Sequence, residues 1–134
     1  MVKDMKKVTK KLVLLLCLCM LAATLAACGK DQAVVDASGT YTGQYGKYVG
    51  DSDDDKNTKD AFSIVLKDDG TGTFKRDGNE YDITKWTING TSFTMEEKFM
   101  GMVNNYTGTL NGNSLEIFNG EPSNSFTYQY VLSK

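Results

Sequence analysis

Residues 77–90 read Asp77-Gly78-Asn79-Glu80-Tyr81-Asp82-Ile83-Thr84-Lys85-Trp86-Thr87-Ile88-Asn89-Gly90, an apolar–polar alternation between two turn dipeptides. Asp-Gly and Asn-Gly supply the positive φ angles that tight β-hairpin turns require. Tyr81 and Ile83 share one phase of the alternation, whereas Trp86 and Ile88 share the opposite phase. A β-bulge between the two pairs, near residues 84–85, would reconcile them. The stretch therefore predicts a bulged strand between two hairpin turns.

The same pattern continues on both sides of this stretch. Turn dipeptides recur at Asp69-Gly70, Asn111-Gly112 and Asn119-Gly120, and their spacing leaves room for one more turn near Gly101. Phe126, Tyr128, Tyr130 and Leu132 alternate with Thr127, Gln129 and Val131, which is the clearest strand pattern in the chain. We predict eight strands, near residues 39–48, 61–67, 71–76, 80–88, 91–98, 103–110, 113–119 and 125–133.

These strands predict an all-β fold. Sequential hairpins without crossover helices make an antiparallel up-and-down meander, and closing about eight such strands into a small barrel removes the exposed edges. After residue 28 no stretch has convincing helical periodicity, so we expect no helix in the barrel domain. The barrel is assigned to residues 39–134.

The N-terminal segment predicts a signal peptide. Five lysines within residues 3–11 are followed by an apolar run from Leu12 to Leu25 and by the small residues Ala26 and Ala27. A membrane-spanning anchor is the alternative. The uncharged run of residues 12–29 is short against the roughly 20 residues that a spanning helix needs.

Leu25-Ala26-Ala27-Cys28 resembles the lipobox of bacterial lipoprotein signals at every position. The resemblance implies cleavage before Cys28 and a diacylglycerol on its sulfur, which would anchor the chain to the outer face of the bacterial cell membrane. The domains are then a cleaved signal peptide at 1–27, a lipidated tether at 28–38, and the barrel at 39–134. The alternative is that Cys28 is an ordinary small residue near a simple cleavage site.

Composition narrows the function classes. Without residues 1–27 the chain keeps ten basic and 16 acidic residues, so its net charge falls from −2 to about −6. That balance disfavours nucleic acid as a partner. The chain has no histidine, and the cysteines other than Cys28 leave with the signal peptide, so the commonest catalytic bases and nucleophiles are missing. We therefore expect neither an enzyme nor a cofactor.

Gly39-Thr40-Tyr41 and the Trp–x–Ile–Asn–Gly layout at 86–90 resemble the lipocalin-like (calycin) barrels, particularly the small lipocalin-like lipoproteins of Gram-positive bacteria. Tyr41 stands where that family has a first-strand tryptophan, and the family's basic residue over this ring has no clear counterpart here. The resemblance covers nearly all of 39–134 and implies a β-barrel with a small-molecule site.

Aromatic residues are the candidates for such a site. A tyrosine-rich mouth would present hydroxyl groups to the polar part of a ligand. We select Tyr41, Tyr45, Trp86 and Tyr128 as ligand-binding candidates. The alternative is that most of the aromatic side chains belong to the core.

Two further segments allow a functional and a structural interpretation. Asp51, Asp53 and Asp55 match the first ligands of a calcium-binding EF-hand loop, but Lys56 replaces its glycine and Phe62 its final glutamate. The acidic segment is therefore either a weak, irregular Ca²⁺ site or a solvated loop.

Met95, Met100 and Met102 flank Phe99, and they either fill the core or form an adaptable loop at the barrel mouth.

Two functions follow from these features. The first is a non-catalytic, lipid-anchored extracytoplasmic protein that binds a small apolar or amphipathic molecule in its barrel. The second is an envelope module with a filled barrel and no ligand cavity, which contacts another protein or the cell wall through its loops.

Overall fold

The computed structural model describes residues 31–134, so the predicted signal peptide, Cys28 and the first part of the predicted tether lie outside the described residues. The described chain forms one short helix and eight strands. These are α1 (Gln32–Ala37), β1 (Gly39–Tyr48), β2 (Ser63–Leu66), β3 (Gly72–Arg76), β4 (Asn79–Asn89), β5 (Ser92–Phe99), β6 (Met102–Asn111), β7 (Ser114–Phe118) and β8 (Tyr128–Ser133). A single 3₁₀ turn, Asp53–Asp55, lies in the β1–β2 connection.

The strands form a closed barrel. Each strand pairs antiparallel with the next, and β8 pairs with β1. The predicted all-β, up-and-down barrel of about eight strands is confirmed. The predicted bulge is also confirmed, because the β4–β5 register shifts between Ile83 and Lys85. A second register shift, between Gly43 and Tyr45 of β1, was not predicted.

Two of the hairpins close with a pair of residues that both have positive φ. Asp77 (φ 52°) and Gly78 (φ 74°) join β3 to β4, and Met100 (φ 49°) and Gly101 (φ 81°) join β5 to β6. This is the type I′ pattern, which matches the right-handed twist of the strands. The second pair is the turn expected near Gly101, with a methionine where asparagine or glycine is usual.

The other turn dipeptides behave differently. Asn89 and Asn111 end their strands as paired residues, and only the following glycine takes a positive φ. Asn119-Gly120 opens the longer connection between β7 and β8 instead of a tight turn.

The interior of the barrel is filled with side chains. The inward phase of every strand contributes, and the buried apolar residues include Tyr41, Ile64, Leu66, Phe74, Ile83, Trp86, Phe93, Met95, Tyr106, Leu110, Leu115, Ile117 and Leu132. Residues 32–134 thus have their own core and their own closed sheet. Such a unit contains what a domain needs to fold by itself.

The barrel has two different ends. The closed end contains the start of β1, the turns around Gly70, Gly90 and Gly112, and the C-terminus of β8. The open end contains the β1–β2 connection (49–62), the hairpin turns at 77–78 and 100–101, and the β7–β8 connection (119–127).

Helix α1 packs on the closed end. Ala37 is buried, Val34 packs against the core, and the Tyr41 hydroxyl donates to the Ala37 carbonyl at 2.7 Å. Lys134 Nζ donates to the Asp36 carbonyl at 2.7 Å and lies 5.4 Å above the Tyr41 ring. The sequence predicts no helix in this segment. Six residues are too few for a visible helical period, and such a short helix depends on tertiary packing.

Lys134 also changes one expectation from the family resemblance. No basic residue was expected over the first-strand aromatic ring, yet the Lys134 ammonium lies over Tyr41. The pair is separated by almost the whole domain in sequence, so no local pattern indicates it. It forms only because β8 closes the barrel against β1.

Candidate functional site

A buried carboxylate lies inside the barrel near the open end. The Glu97 side chain has no exposed surface, and its Oε1 accepts from Arg76 Nη2 at 2.8 Å. Asn104 Nδ2 donates to the same oxygen at 3.2 Å, and the Tyr106 hydroxyl donates to Oε2 at 3.2 Å. A buried carboxylate is tolerated only with such partners. Glu97 is buried because it shares the inward phase of β5 with Phe93 and Met95.

Arg76 connects this carboxylate to the aromatic side chains of the mouth. Its guanidinium lies 3.9 Å from the centre of the Tyr81 ring and 5.0 Å from that of Phe74. The side chain is 15 % exposed, and among the described residues its buried Nη1 has no hydrogen-bond partner. The positive charge is therefore held in place by one ion pair and two ring faces.

A groove of about 400 Å³ opens beside Arg76 at the open end. We call it the aromatic groove. Its aromatic lining is Tyr48, Phe62, Phe126, Tyr128 and Tyr130, and its acidic lining is Asp60 and Asp77. Four of these rings contact one another in the order Tyr48, Tyr128, Tyr130, Phe62.

The ring geometry is well defined. The ring planes of Tyr48 and Tyr128 are nearly perpendicular, with ring centres 5.0 Å apart, and the ring centres of Tyr128 and Tyr130 are 4.8 Å apart. Tyr130 also packs edge-on against Phe62 at 5.3 Å. Burial raises the pKa of Tyr130 to about 12 and also raises the pKa of Tyr128, where Asp60 adds to the effect. Both hydroxyls therefore remain protonated at neutral pH.

A second groove, of about 580 Å³, lies on the outer face of the same end. Its lining includes the outward-facing residues Thr42, Ser63, Lys75 and Glu80, and Lys75 Nζ is 3.4 Å from a Glu80 carboxylate oxygen. This groove has fewer aromatic rings than the aromatic groove and is bridged by an exposed ion pair. It is therefore the weaker candidate for a ligand site.

Exposed apolar side chains concentrate at the open end. Among residues 31–134, the large hydrophobic residues with high exposure are Val35, Tyr48, Phe99, Met100, Met102, Val103 and Phe126. All of them except Val35 belong to the open end or to the strand ends that lead into it. Phe126 and Met100 are the most exposed, at 86 % and 85 %. Clustered exposed apolar residues are typical of a binding surface.

The four predicted ligand residues are not brought together. Tyr41 is buried toward the closed end, and Trp86 is buried there with Nε1 donating to the Lys67 and Thr71 carbonyls at 3.0 and 2.9 Å. Tyr45 lies outside the aromatic groove, with the Lys56 ammonium 4.6 Å from its ring centre. Only Tyr128 lines the groove.

The groove's other members were missed by sequence reasoning, although a signal for them was present. Tyr130 and Phe126 share the alternation that identified Tyr128, and Tyr48 ends the first strand. The sequence does not show which end of each strand lies at the open mouth.

The acidic loop is held by lysines. Asp53 Oδ1 is 2.9 Å from Lys47 Nζ and 3.7 Å from Lys56 Nζ, and the hydrogen bond from Lys47 lowers the pKa of Asp53. Asp55 accepts a hydrogen bond from Ser52 at 2.8 Å. In the part of the chain that the structure describes, no group of three or more His, Cys, Asp or Glu side chains could hold a metal ion. Ca²⁺ binding at Asp51, Asp53 and Asp55 stays a prediction.

The fold defines the class of this protein as an eight-stranded antiparallel β-barrel, compatible with a lipocalin-like fold. The chain matches no protein-family model, no curated protein and no solved structure at a significant level. Over the described range 31–134, no helix has the length and apolar character needed to cross a membrane.

Proposed function

We propose that this chain is a lipid-anchored, non-catalytic binding protein of the bacterial cell envelope, and that it binds a small amphipathic molecule in the aromatic groove. The observation that carries the proposal is the contrast between the filled barrel interior and the ring-lined groove at its mouth. Apolar walls with a few convergent polar groups are what small-molecule sites present. The proposed site is therefore the mouth, and not the interior that lipocalin-like barrels suggest.

The lipobox at 25–28 supports the anchor. Cys28 precedes α1 by only three intervening residues, and α1 packs on the closed end. A lipid on Cys28 would thus be close in sequence to the segment that packs on the closed end.

We propose a non-catalytic protein because few of its side chains are suited to catalysis. The mature chain has no histidine and no thiol beyond Cys28. Glu97, the one fully buried carboxylate among the described residues, is occupied by three hydrogen-bond donors. Because this carboxylate is also fully buried, we assign it a structural role.

The β5–β6 hairpin favours a second candidate function, docking to another envelope protein. Met100 takes a positive φ that costs a side-chain-bearing residue about 1–2 kcal/mol, and its apolar side chain is 85 % exposed. Phe99, Met102 and Val103 are exposed beside it. A strained, exposed apolar turn is a reason to look for a contact surface.

The first test uses residues 29–134, the predicted mature chain without its lipidated cysteine. We expect a small molecule to co-purify in native mass spectrometry, and Tyr128→Ala to lose it. Tyr45→Ala, which removes a tyrosine outside the groove, is the matched control. If no molecule co-purifies and no compound of an amphipathic panel perturbs the NMR signals of groove residues, the proposal is wrong.

Anchoring and docking have separate tests. Cys28→Ser should move the protein from the membrane to the soluble fraction, and an unchanged membrane fraction would refute the lipid anchor. A photoreactive residue at position 100 should crosslink to an envelope protein in intact cells, whereas one at Asn113 in a closed-end turn should not. Equal crosslinking at both positions, or none, would reject docking through the hairpin.

A further inference from the structure

We infer that the molecule bound in the aromatic groove is an organic cation, a quaternary ammonium or protonated amine that carries an apolar substituent. The inference rests on the proposed function and adds the chemical class of the ligand. It follows from the charge of the groove and from its ring faces.

The groove has an excess of negative charge. Asp60 and Asp77 both line it, and among the described residues neither carboxylate has a basic side chain within 4 Å. Arg76, the one basic residue in the lining, is already neutralised by the buried Glu97. Two carboxylates beside an internally compensated ion pair attract a cation.

An anionic ligand fits this groove poorly. Arg76 Nη1 has no hydrogen-bond partner, but it is buried and has almost no accessible surface. The Tyr81 and Phe74 rings pack on the guanidinium. An anion would have to displace these rings and approach past Asp60 and Asp77.

The aromatic lining suits a cation with apolar groups. Tyr48, Tyr128 and Tyr130 present rings at steep angles to one another, 89° for the first pair and 58° for the second. Walls of this kind offer both ring faces and edges to a ligand. Ring faces attract ammonium groups, most strongly where the ammonium is desolvated. Phe126 extends the apolar wall toward the exposed rim.

The test is an NMR titration of ¹⁵N-labelled residues 29–134 with three probes that share a phenyl ring. They are benzyltrimethylammonium, neutral benzyl alcohol and anionic benzenesulfonate. We expect saturable shifts of the groove signals with the cation alone, and weaker binding as NaCl is raised. Combined Asp60→Asn and Asp77→Asn should lower the affinity about three- to tenfold, because two exposed charges are lost.

The two substitutions are chosen to preserve the fold, and they have a matched control. Asparagine tolerates a left-handed backbone, so Asp77→Asn preserves the turn in which Asp77 has φ 52°. Asp68→Asn makes the same charge change in the β2–β3 turn at the closed end and should leave the affinity unchanged.

The remaining outcomes overturn the inference in distinguishable ways. Equal affinity for benzyl alcohol and the cation would show that the ligand need not be cationic, and so would an unchanged affinity in the two Asp→Asn variants. Either result leaves the groove as a ligand site. Binding of benzenesulfonate in preference to the cation has the same meaning. If none of the three probes shifts the groove signals, the inference fails, and the proposed function fails with it only if native mass spectrometry also finds no co-purified molecule.

Discussion

Arg76 Nη2 lies 2.8 Å from Glu97 Oε1, and this ion pair joins β3 to β5 across the intervening strand β4. The Glu97 side chain is fully buried and that of Arg76 is 15 % exposed. The arginine also covers the Tyr81 ring of β4. One polar contact therefore fixes three neighbouring strands at the open end.

Breaking this pair on one side should destabilise the barrel strongly. Glu97→Leu leaves the Arg76 charge without its partner, and we expect a loss of about 3–5 kcal/mol in the free energy of unfolding. The Arg76→Met, Glu97→Leu double variant should recover most of this loss, because both charges are removed together. Urea denaturation of Arg76→Met, Glu97→Leu and the double variant completes the double-mutant cycle. Additive losses would contradict a coupled pair.

Alkaline pH should destabilise the fold through buried tyrosines. Burial raises the pKa of Tyr130 to about 12, and it also raises the pKa values of Tyr41 and Tyr106. An unfolded tyrosine ionises near pH 10, so stability is complete below that pH and is lost as pH rises toward 12. Each such tyrosine contributes a slope of at most about 1.4 kcal/mol per pH unit.

The measurement is the thermal midpoint between pH 8 and 12, together with phenolate absorbance. Tyr130→Phe should flatten the alkaline slope, whereas Tyr45→Phe should not change it. A slope that is the same in wild type and Tyr130→Phe would contradict the assignment.

Met100→Asn should stabilise the protein. Asparagine adopts positive φ more readily than methionine, and Met100 at φ 49° makes few contacts because it is 85 % exposed. We expect a gain of about 1 kcal/mol in the free energy of unfolding by chemical denaturation. Met102→Asn, in the paired strand position next to this turn, should give no such gain. A loss of stability in Met100→Asn would mean that the side chain has a structural role.

Helix α1 should stabilise the barrel. Removing it exposes the core around Tyr41 and deletes the Ala37 carbonyl that this hydroxyl contacts. Residues 39–134 should be less stable than residues 29–134 by about 2 kcal/mol in urea denaturation. Gln32→Ala, which removes only an exposed hydrogen bond to Asp36, should have no measurable effect. Equal stability of the two chains would show that α1 is part of a passive tether.

Much of the fold could be predicted because its signals are local. The phase change between Ile83 and Trp86 identified the bulge, and the spacing of the turn dipeptides located a turn at Gly101. Most strand boundaries follow from the same alternation, but β8 begins at Tyr128 and not at residue 125, so Phe126 lies in the β7–β8 connection. Helix α1 could not be predicted, since its six residues are held by contacts with Tyr41 and Lys134 that lie far along the chain.

The candidate site was predicted less well, for a physical reason. Alternation shows that Tyr41, Trp86 and Tyr128 point inward, but an inward side chain at the closed end is core and one at the mouth lines a groove. Glu97 shares the inward phase of Phe93 and Met95, but the sequence does not show that Arg76 of β3 and Tyr106 of β6 supply its hydrogen-bond donors.

The sequence alone therefore determined the eight strands, their order, the β4 bulge and the hairpin turns at 77–78 and 100–101, because each depends on residues that are neighbours in the chain. It also contains Leu25-Ala26-Ala27-Cys28, whose resemblance to a lipobox is a local signal of the same kind, and lipidation of Cys28 stays a prediction. Only the tertiary structure decided which aromatic rings surround Asp60 and Asp77 and which charges are compensated. Those relationships depend on closure of the barrel, which joins residues that no local pattern connects.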